Sequence, residues 1–387
     1  MKSDATTQLL RQLTTNQSVR QAGLPGGLVL SYRHNPAWGY RRLDVNLFFT
    51  AISVFTLQRL APLLAPDEQA LAAAFVSAAT GTYPAFRNAP NLPVAGQQPT
   101  PLGDITPSGT PPVDTPLGTY NFYATNPSRH FPNGRFMHRY RHFKLPDDID
   151  DTAMVYLTAN PTAADLDYLH RKLARHANQT HQTIRNTFPE YRALRAYSTW
   201  FGERMPIEFD ACALANMLYC VYDHGLPIDE HATDSLTLLA DMVSSDRYRT
   251  APFHCAHNYA TTPLIAYHIA RLMAAHDPPL LQPIRAKLIR DMQALTAQPL
   301  NPMEQVLLGT SLLRLGQQPP PIELADIEAA FGSFSFFIAG MLSAYEQPLL
   351  RRLAPQPFWH IRWQCDDHCR VLLIEYLVLR RAASQVR

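Results

Sequence analysis

Four aspartates lie within five residues near the middle of the chain, at Asp147, Asp148, Asp150 and Asp151. A proline precedes them and an apolar run follows, a pattern typical of a helix start, where acidic side chains face the positive end of the helix dipole. Spacings of three and four residues place several of these carboxylates on one side of a helical turn. Carboxylates held so close cannot all ionise comfortably, so one can keep its proton near neutral pH. In a dry pocket, such a protonated carboxyl is a Brønsted acid for an alkene or an epoxide.

The segment Asp148-Ile149-Asp150-Asp151-Thr152-Ala153-Met154 resembles the DxDD(T)A(M) motif of class II terpene cyclases, which include squalene–hopene cyclases and copalyl-diphosphate-type synthases. The resemblance implies that Asp150 is the general acid and that Asp148 and Asp151 tune or orient it. It implies a protonation-initiated cyclisation of a linear isoprenoid with no required cofactor. If the substrate carries a diphosphate, Mg²⁺ is the expected ion. The alternative is that the four acids only begin a helix.

The segment from Arg129 to Lys144 is basic and aromatic and contains no acid. One interpretation is a solvated basic face that neutralises the neighbouring acids. The other is a substrate clamp, in which Arg135, Arg139 and Arg141 hold a diphosphate. Because the net charge of the whole chain is only +2, we expect no nucleic-acid partner.

Several aromatic residues and histidines are candidates for contact with the substrate. Phe122, Tyr123 and Trp200 are expected to stabilise a carbocation by cation–π contact. In a helical toroid, the stretch that contains His254, His257 and Tyr259 would face Asp150, and a histidine bonded to the acid would orient it and accept the proton back.

A zinc site is a competing hypothesis. Asp210 and Cys212, with His254 or His257, resemble the zinc ligands of protein prenyltransferase β subunits, and zinc accepts such ligands. The simpler interpretation is that Asp210 caps a helix and Asn216 makes an interhelical hydrogen bond. The cluster from Cys365 to Cys369 has the same two interpretations, and capping is favoured there, so no metal ligand is predicted.

The composition is that of an ordinary globular protein, with 46% hydrophobic and 17% charged residues among 387. The first residues lack the apolar core of a signal peptide, and no stretch reads as a membrane span, so a cytoplasmic protein is expected. Five cysteines without framework spacing fit a reducing compartment.

The elements that must position these residues are expected to be helices, because apolar residues recur every three or four positions and no stretch shows sustained strand alternation. We therefore predict a single all-α domain over residues 1–387, an α/α toroid built from antiparallel helix pairs. Residues 83–146 contain 12 of the 33 prolines and are predicted to form an irregular insertion or lid. A non-catalytic toroid that binds a lipid or a partner protein is the alternative function. Helices are predicted at residues 4–22, 43–64, 69–79, 163–177, 180–187, 210–224, 234–243, 263–275, 283–297, 303–315, 323–330, 337–350 and 366–381.

Overall fold

The computed structural model describes residues 2–18, 26–88, 117–132, 144–202, 205–343, 345 and 347–385. Helices dominate this part of the chain. In chain order they are α1 Lys2–Ser18, α2 Leu47–Leu60, α3 Pro66–Thr80, α4 Ile149–Thr158, α5 Ala163–His176, α6 Ala211–Asp223, α7 Glu230–Ser244, α8 Arg247–Thr250, α9 Pro252–Cys255, α10 Thr262–His276, α11 Arg285–Thr296, α12 Pro302–Arg314, α13 Pro348–Leu353 and α14 Asp366–Gln385.

Six of these helices contact one another in a closed sequence. Helix α2 packs on α4, α4 on α6, α6 on α10, α10 on α12, α12 on α14, and α14 returns to α2. Helices α6 and α10 are buried on nearly every side. Others, such as α5 and α11, bury a single stripe and leave the opposite face to solvent. The core therefore lies inside the closed sequence, and one-sided helices cover it.

The expectation of an all-α protein is confirmed only in part, because the mostly helical chain also carries a small antiparallel sheet. Its strands are β1 Ser31–Asn35, β2 Tyr40–Asp44, β5 Phe337–Gly340 and β6 His360–Gln364, in the order β2-β1-β6-β5. Two short strands, β3 Arg87–Asn88 and β4 Thr119–Tyr120, pair with each other. This second pair lies within the predicted insertion, residues 83–146. Its two strands stand on either side of residues 89–116, which lie outside the described residues.

Strand β1 was not predicted because its buried side chains are polar and give no alternation of apolar residues. Ser31, Arg33 and Asn35 face inward, whereas Tyr32 and His34 are less buried. Arg33 forms a buried ion pair with Asp44 of β2, at 2.5 Å. A search for alternating apolar residues does not detect a strand whose inner face is held by hydrogen bonds and an ion pair.

Four helix predictions need correction. The helix predicted at residues 43–64 begins only at Leu47, after β2, where the Asn46 side chain accepts a hydrogen bond from the Phe49 N–H at 3.1 Å. Residues 180–187 form turns and bends, and residues 323–330 include the start of a short 3₁₀ helix, Ile327–Ser333. Residues 337–350 begin with strand β5, since a short apolar run fits a strand and a helix equally well.

The six helices of the closed sequence are called the ring helices here, and several of them begin in the same region of the molecule. The first turns of α2, α4 and α6 contribute Phe48, Asp150 and Ala213 to the wall of a cavity, and Tyr259 enters it just before α10. The sheet adds Trp363 from β6. Within the described residues, no helix is long and apolar enough to cross a membrane.

Candidate active site

A cavity of about 250 Å³ lies at the beginnings of these helices. Its wall combines aromatic rings with carboxyl groups, the mixture expected of a site that holds an apolar molecule and acts on it with a few polar groups. The lining residues are Phe48, Phe122, Phe131, Leu145, Asp148, Asp150, Asp151, Thr199, Trp200, Met205, Pro206, Glu208, Ala213, Asn258, Tyr259, Phe337, Ile338, Ala339, Gly340, Ser343 and Trp363.

Asp148 fixes the start of α4. Its backbone is extended, and its side chain accepts a hydrogen bond from the Asp151 N–H at 2.7 Å, so it is the N-cap of the helix. Pro146 lies two residues before this cap and outside the helix, not in its first turn as its position in the sequence suggested. Burial and the nearby Asp150 raise the pKa of Asp148 to about 8.

Asp150 is held by one hydrogen-bond donor at each of its carboxylate oxygens. Its side chain is buried, and its Oδ1 accepts a hydrogen bond from the Asn216 Nδ2 at 2.5 Å. The Tyr259 hydroxyl donates to the other oxygen, Oδ2. Burial raises the pKa of Asp150 to about 6, although the two hydrogen bonds and the charge of Arg271 act to lower it. Near neutral pH this carboxyl therefore exists in both protonation states.

Asp151 is buried without a donor. Neither of its carboxylate oxygens receives a hydrogen bond, and the side chain interacts with the carboxyl of Asp148. Burial and the charge of Asp148 raise the pKa of Asp151 well above its usual range. Two facing carboxylates repel each other, whereas a single proton between them satisfies both. The pair Asp148–Asp151 therefore retains a proton in the folded protein.

The fourth acid of the run, Asp147, is turned away from the cavity. Its carboxylate accepts hydrogen bonds from Asn88 Nδ2 and Thr119 Oγ1, both at 2.5 Å, and from Asn121 Nδ2 at 3.1 Å. These donors come from the two ends of the predicted insertion. Asp147 thus holds the chain together beside the site, and only the other three acids face the cavity.

The aromatic residues of the wall contact one another edge to face. Phe122 meets Trp363 at 5.7 Å between ring centroids, and Phe48 meets Phe337 at 5.5 Å. Trp200 lies on the wall as well. Rings fixed in this way present electron-rich faces, which attract a cation within about 6 Å of the ring centre.

The structure brings some of the predicted site residues together and separates others. Phe122, Trp200 and Tyr259 line the cavity with the three acids. Tyr123 lies behind this wall, where its hydroxyl donates to Asp44 at 3.2 Å. Arg135, Arg139 and Arg141 lie outside the described residues.

The two predicted histidines are not among the lining residues. His254 packs edge to face on Phe188, and burial lowers its pKa to about 4. His257 lies with its Nδ1 3.5 Å from Oε2 of Glu208. The histidine that we expected on the acid is replaced by Asn216 and Tyr259, whose side chains hold the two oxygens of Asp150.

Sequence reasoning did not assign the polar residues behind the acid to the site. Asn216 was expected to make an interhelical hydrogen bond, which it does, and its partner is the acid itself. On its other side Asn216 accepts a hydrogen bond from the buried guanidinium of Arg271. A lone arginine within the apolar run of α10 was the available signal, because a buried charge requires a partner. Glu208 and Trp363 carried no comparable signal.

Asp210 is a helix cap, as the simpler interpretation predicted. Its carboxylate accepts hydrogen bonds from the N–H groups of Cys212 at 2.9 Å, Ala213 at 3.3 Å and Asn258 at 2.7 Å. Burial raises the pKa of the Cys212 thiol well above its usual range. Among the residues that the structure describes, no group of three or more His, Cys, Asp or Glu side chains is arranged to hold a metal ion.

Comparisons of the chain with protein-family models, with curated proteins and with solved structures gave no match.

Proposed function

We propose that the protein is a class II-type, protonation-initiated terpene or isoprenoid cyclase in which Asp150 is the general acid. One observation carries this proposal: the carboxyl group of Asp150 lies buried in the wall of an aromatic cavity, beside two further acids. Burial keeps a share of the Asp150 side chains protonated near neutral pH, whereas an exposed aspartate is almost entirely ionised there.

The first step needs an acid that is both protonated and able to release its proton. Asp150 donates the proton to one carbon of a terminal alkene, or to the oxygen of an epoxide, and a carbocation forms. The hydrogen bonds from Asn216 and Tyr259 then stabilise the carboxylate left behind. The retained proton of the Asp148–Asp151 pair leaves that pair less negative than two carboxylates and limits the repulsion of the new charge.

The aromatic wall is suited to the carbocation that follows. The cavity that Asp150 faces is lined by several aromatic residues, among them Phe48, Phe122, Trp200 and Phe337. A desolvated cation over such a ring gains about 2 kcal/mol or more. Because the wall offers several rings, the positive charge can move along the hydrocarbon as rings close without leaving this environment.

We further propose that the closed sequence of six helices is the inner layer of an α/α toroid, the architecture that the class II resemblance implies. The support is that α14 returns to α2 and that the starts of α2, α4 and α6 meet at the same cavity. In such a toroid, aligned helix starts surround one central site, which accounts for an acid from α4 held by an asparagine from α6.

The substrate class is proposed as a linear isoprenoid, and Arg135, Arg139 and Arg141 remain the proposed clamp if it carries a diphosphate, with Mg²⁺ as the accompanying ion. The described part of the wall contains carboxyl groups and aromatic rings but no lysine or arginine. It therefore favours the apolar, alkene-bearing end of such a molecule over its charged end.

The test is incubation of the purified protein with geranyl, farnesyl and geranylgeranyl diphosphates and with squalene. Products are analysed by mass spectrometry after phosphatase treatment, with and without EDTA. We expect a cyclic product of the same composition as the substrate or of its hydrate. The incubation is repeated in D₂O. If no deuterium appears in the product, protonation does not start the reaction and the proposal fails.

A further inference from the structure

We infer that Glu208 is the general base that ends the reaction by removing a proton from the final carbocation. This inference rests on the proposed cyclase function. Glu208 lies two residues before the cap of α6, is only 5% exposed and lines the same cavity as Asp150.

One oxygen of Glu208 is fixed by two donors. The Trp200 Nε1 and the Asn258 Nδ2 each donate a hydrogen bond to Oε1 at 3.1 Å. Donors that converge on a carboxylate stabilise its negative charge. The environment of Glu208 is thus the reverse of that of Asp151, which is buried against another acid with no donor.

The second oxygen, Oε2, is left available for the proton. Its nearest basic neighbour is His257, whose Nδ1 lies 3.5 Å away and has no hydrogen-bond partner. This separation is longer than an N–H···O bond, so Oε2 keeps its lone pairs.

One short segment, Thr199 and Trp200, connects the start of the helix that carries Asp150 with Glu208. The backbone of Trp200 pairs with that of Asp148, the cap of the helix that carries Asp150. The neighbouring Thr199 N–H donates to the carbonyl of Glu208 at 3.0 Å, and the Trp200 indole holds the carboxylate. Asp150 and Glu208 therefore reach one cavity from two elements that this segment connects, so that one carboxyl group can give a proton and a second can take one.

The chemical balance is that of an isomerisation. Asp150 loses its proton, a C–H bond forms at the alkene, and the π electrons of the chain form the new C–C bonds. In the last step Glu208 Oε2 takes a proton from the carbon next to the cation, and the electrons of that C–H bond become the new C=C bond. Glu208 is then a carboxylic acid and Asp150 a carboxylate, and proton exchange with solvent restores both.

The experiment compares Glu208→Gln with wild type and Asp150→Asn, using the substrate that wild type converts. Glutamine has nearly the same shape as glutamate. Its amide oxygen can accept the hydrogen bonds from Trp200 and Asn258, and its NH₂ group then faces the His257 Nδ1, which has no hydrogen-bond partner. We expect a fall of about tenfold or more in the share of the wild-type alkene among the products, replaced by isomeric alkenes or alcohols. Glu208→Asp, which keeps the base, should recover part of the wild-type product.

Unchanged products from Glu208→Gln would overturn the assignment, and so would a loss of substrate consumption as severe as that of Asp150→Asn at an unchanged melting temperature. If the glutamine variant does not fold, Glu208→Asp decides: an altered product pattern with wild-type consumption supports the base, and an unaltered pattern overturns it. An Asp150→Asn variant that still cyclises the substrate would instead refute the cyclase proposal itself.

Discussion

At the scale of single residues, the site depends on how each carboxyl group is solvated and paired. Asp147, Asp148, Asp150 and Asp151 are close in sequence, yet each has a different environment. Asp147 has three donors, Asp150 has two, and the side chain of Asp151 has none. Because burial without donors favours the protonated form, the pKa of Asp151 is raised further than that of Asp150.

The pH dependence of the rate follows from the state of Asp150. The reaction requires the protonated acid, and the pKa of Asp150 is about 6. We expect kcat/KM to fall on the alkaline side of about pH 6, by about tenfold for each further pH unit. Tyr259→Phe removes a donor to the carboxylate, so the pKa of Asp150 rises and the descent moves to higher pH. Profiles of kcat/KM from pH 5 to 9 for both proteins test this, and a wild-type rate that rises through pH 6 to 8 would refute it.

The stability of the protein should also depend on these acids. The folded pKa values of Asp148 and Asp151 are raised, so between about pH 4 and pH 8 the folded state holds a proton that the unfolded state has lost. The free energy of unfolding therefore falls as pH rises through this window. Asp151→Asn should raise it at pH 8 by about 1–3 kcal/mol and change it little at pH 4, because the amide replaces the shared proton.

The control is Asp147→Asn in the same turn, which removes a carboxylate that accepts three hydrogen bonds. It should lower the free energy of unfolding at pH 8 by about 1–3 kcal/mol. Urea denaturation at both pH values measures the pair of variants. Equal effects of the two substitutions would mean that the environments of the two acids are not those described.

The sequence indicated the motif and the stretch that contains Tyr259, but not Asn216 or Arg271. The crowding of four aspartates after a proline predicted a helix start and a raised pKa, because both depend on neighbours in sequence. Asn216 and Arg271 reach the site from α6 and α10, and Tyr259 from the segment before α10, 66 to 121 positions further along the chain than Asp150. Their convergence depends on how the helices pack, which local spacing does not determine.

At the scale of elements, close helix packing is visible at Gly309 of α12. A Cβ atom there would meet Ile322 Cδ1 at 2.9 Å and the ring of Tyr376, from α14, at 3.0 Å. A Cβ atom at this position would have to displace both side chains, so the glycine allows α12 and α14 to approach closely. The absence of a side chain here brings together two of the six ring helices.

Gly309→Ala should therefore lower the free energy of unfolding by about 1–3 kcal/mol, the usual cost of overpacking a core. Gly332→Ala is the matched control, since a Cβ atom at Gly332 meets nothing within 4 Å. The control should change stability by no more than about 0.5 kcal/mol. Guanidinium denaturation curves compare them, and a Gly309→Ala protein as stable as the control would contradict the described contact.

The prediction of elements succeeded where apolar residues recur with a helical period and failed where polar residues are buried. Helices α5, α6, α10 and α12 begin and end within a few residues of the predicted bounds. The sheet was missed because Arg33 and Asn35 occupy its inner face and donate hydrogen bonds to distant parts of the chain. Asn35, for example, donates to the carbonyl of His360 at 3.0 Å. Such a partner is far away in sequence and leaves no local pattern.

At the scale of the whole molecule, one buried ion pair joins three ring helices. Glu375 of α14 is fully buried and pairs with Arg314 at the end of α12, whose Nε lies 2.9 Å from Oε1. The Tyr267 hydroxyl of α10 donates to Oε2 at 2.7 Å. Removing one partner would leave the other charge buried and unpaired, which is far more costly than losing an ion pair on the surface.

Arg314→Met should lower the free energy of unfolding by about 3–5 kcal/mol. The surface pair Arg285–Asp277, at 3.3 Å, gives the control: Arg285→Met should cost no more than about 1 kcal/mol. The double variant Arg314→Met/Glu375→Gln should regain much of the loss, because no unpaired charge then remains. Similar losses for the two arginines in thermal and urea unfolding would show that the pair does not hold the helices together.

Whether Asp150 is the proton donor of a cyclase is decided by comparing Asp150→Asn with Asp147→Asn. The first removes the acid of the cavity, and the second changes an acid that faces away from it. With a substrate that wild type cyclises, Asp150→Asn should lower product formation by about 10²–10⁴-fold or more while its thermal unfolding stays close to that of wild type. Asp147→Asn should still form the cyclic product. Comparable product from Asp150→Asn and wild type would contradict the account.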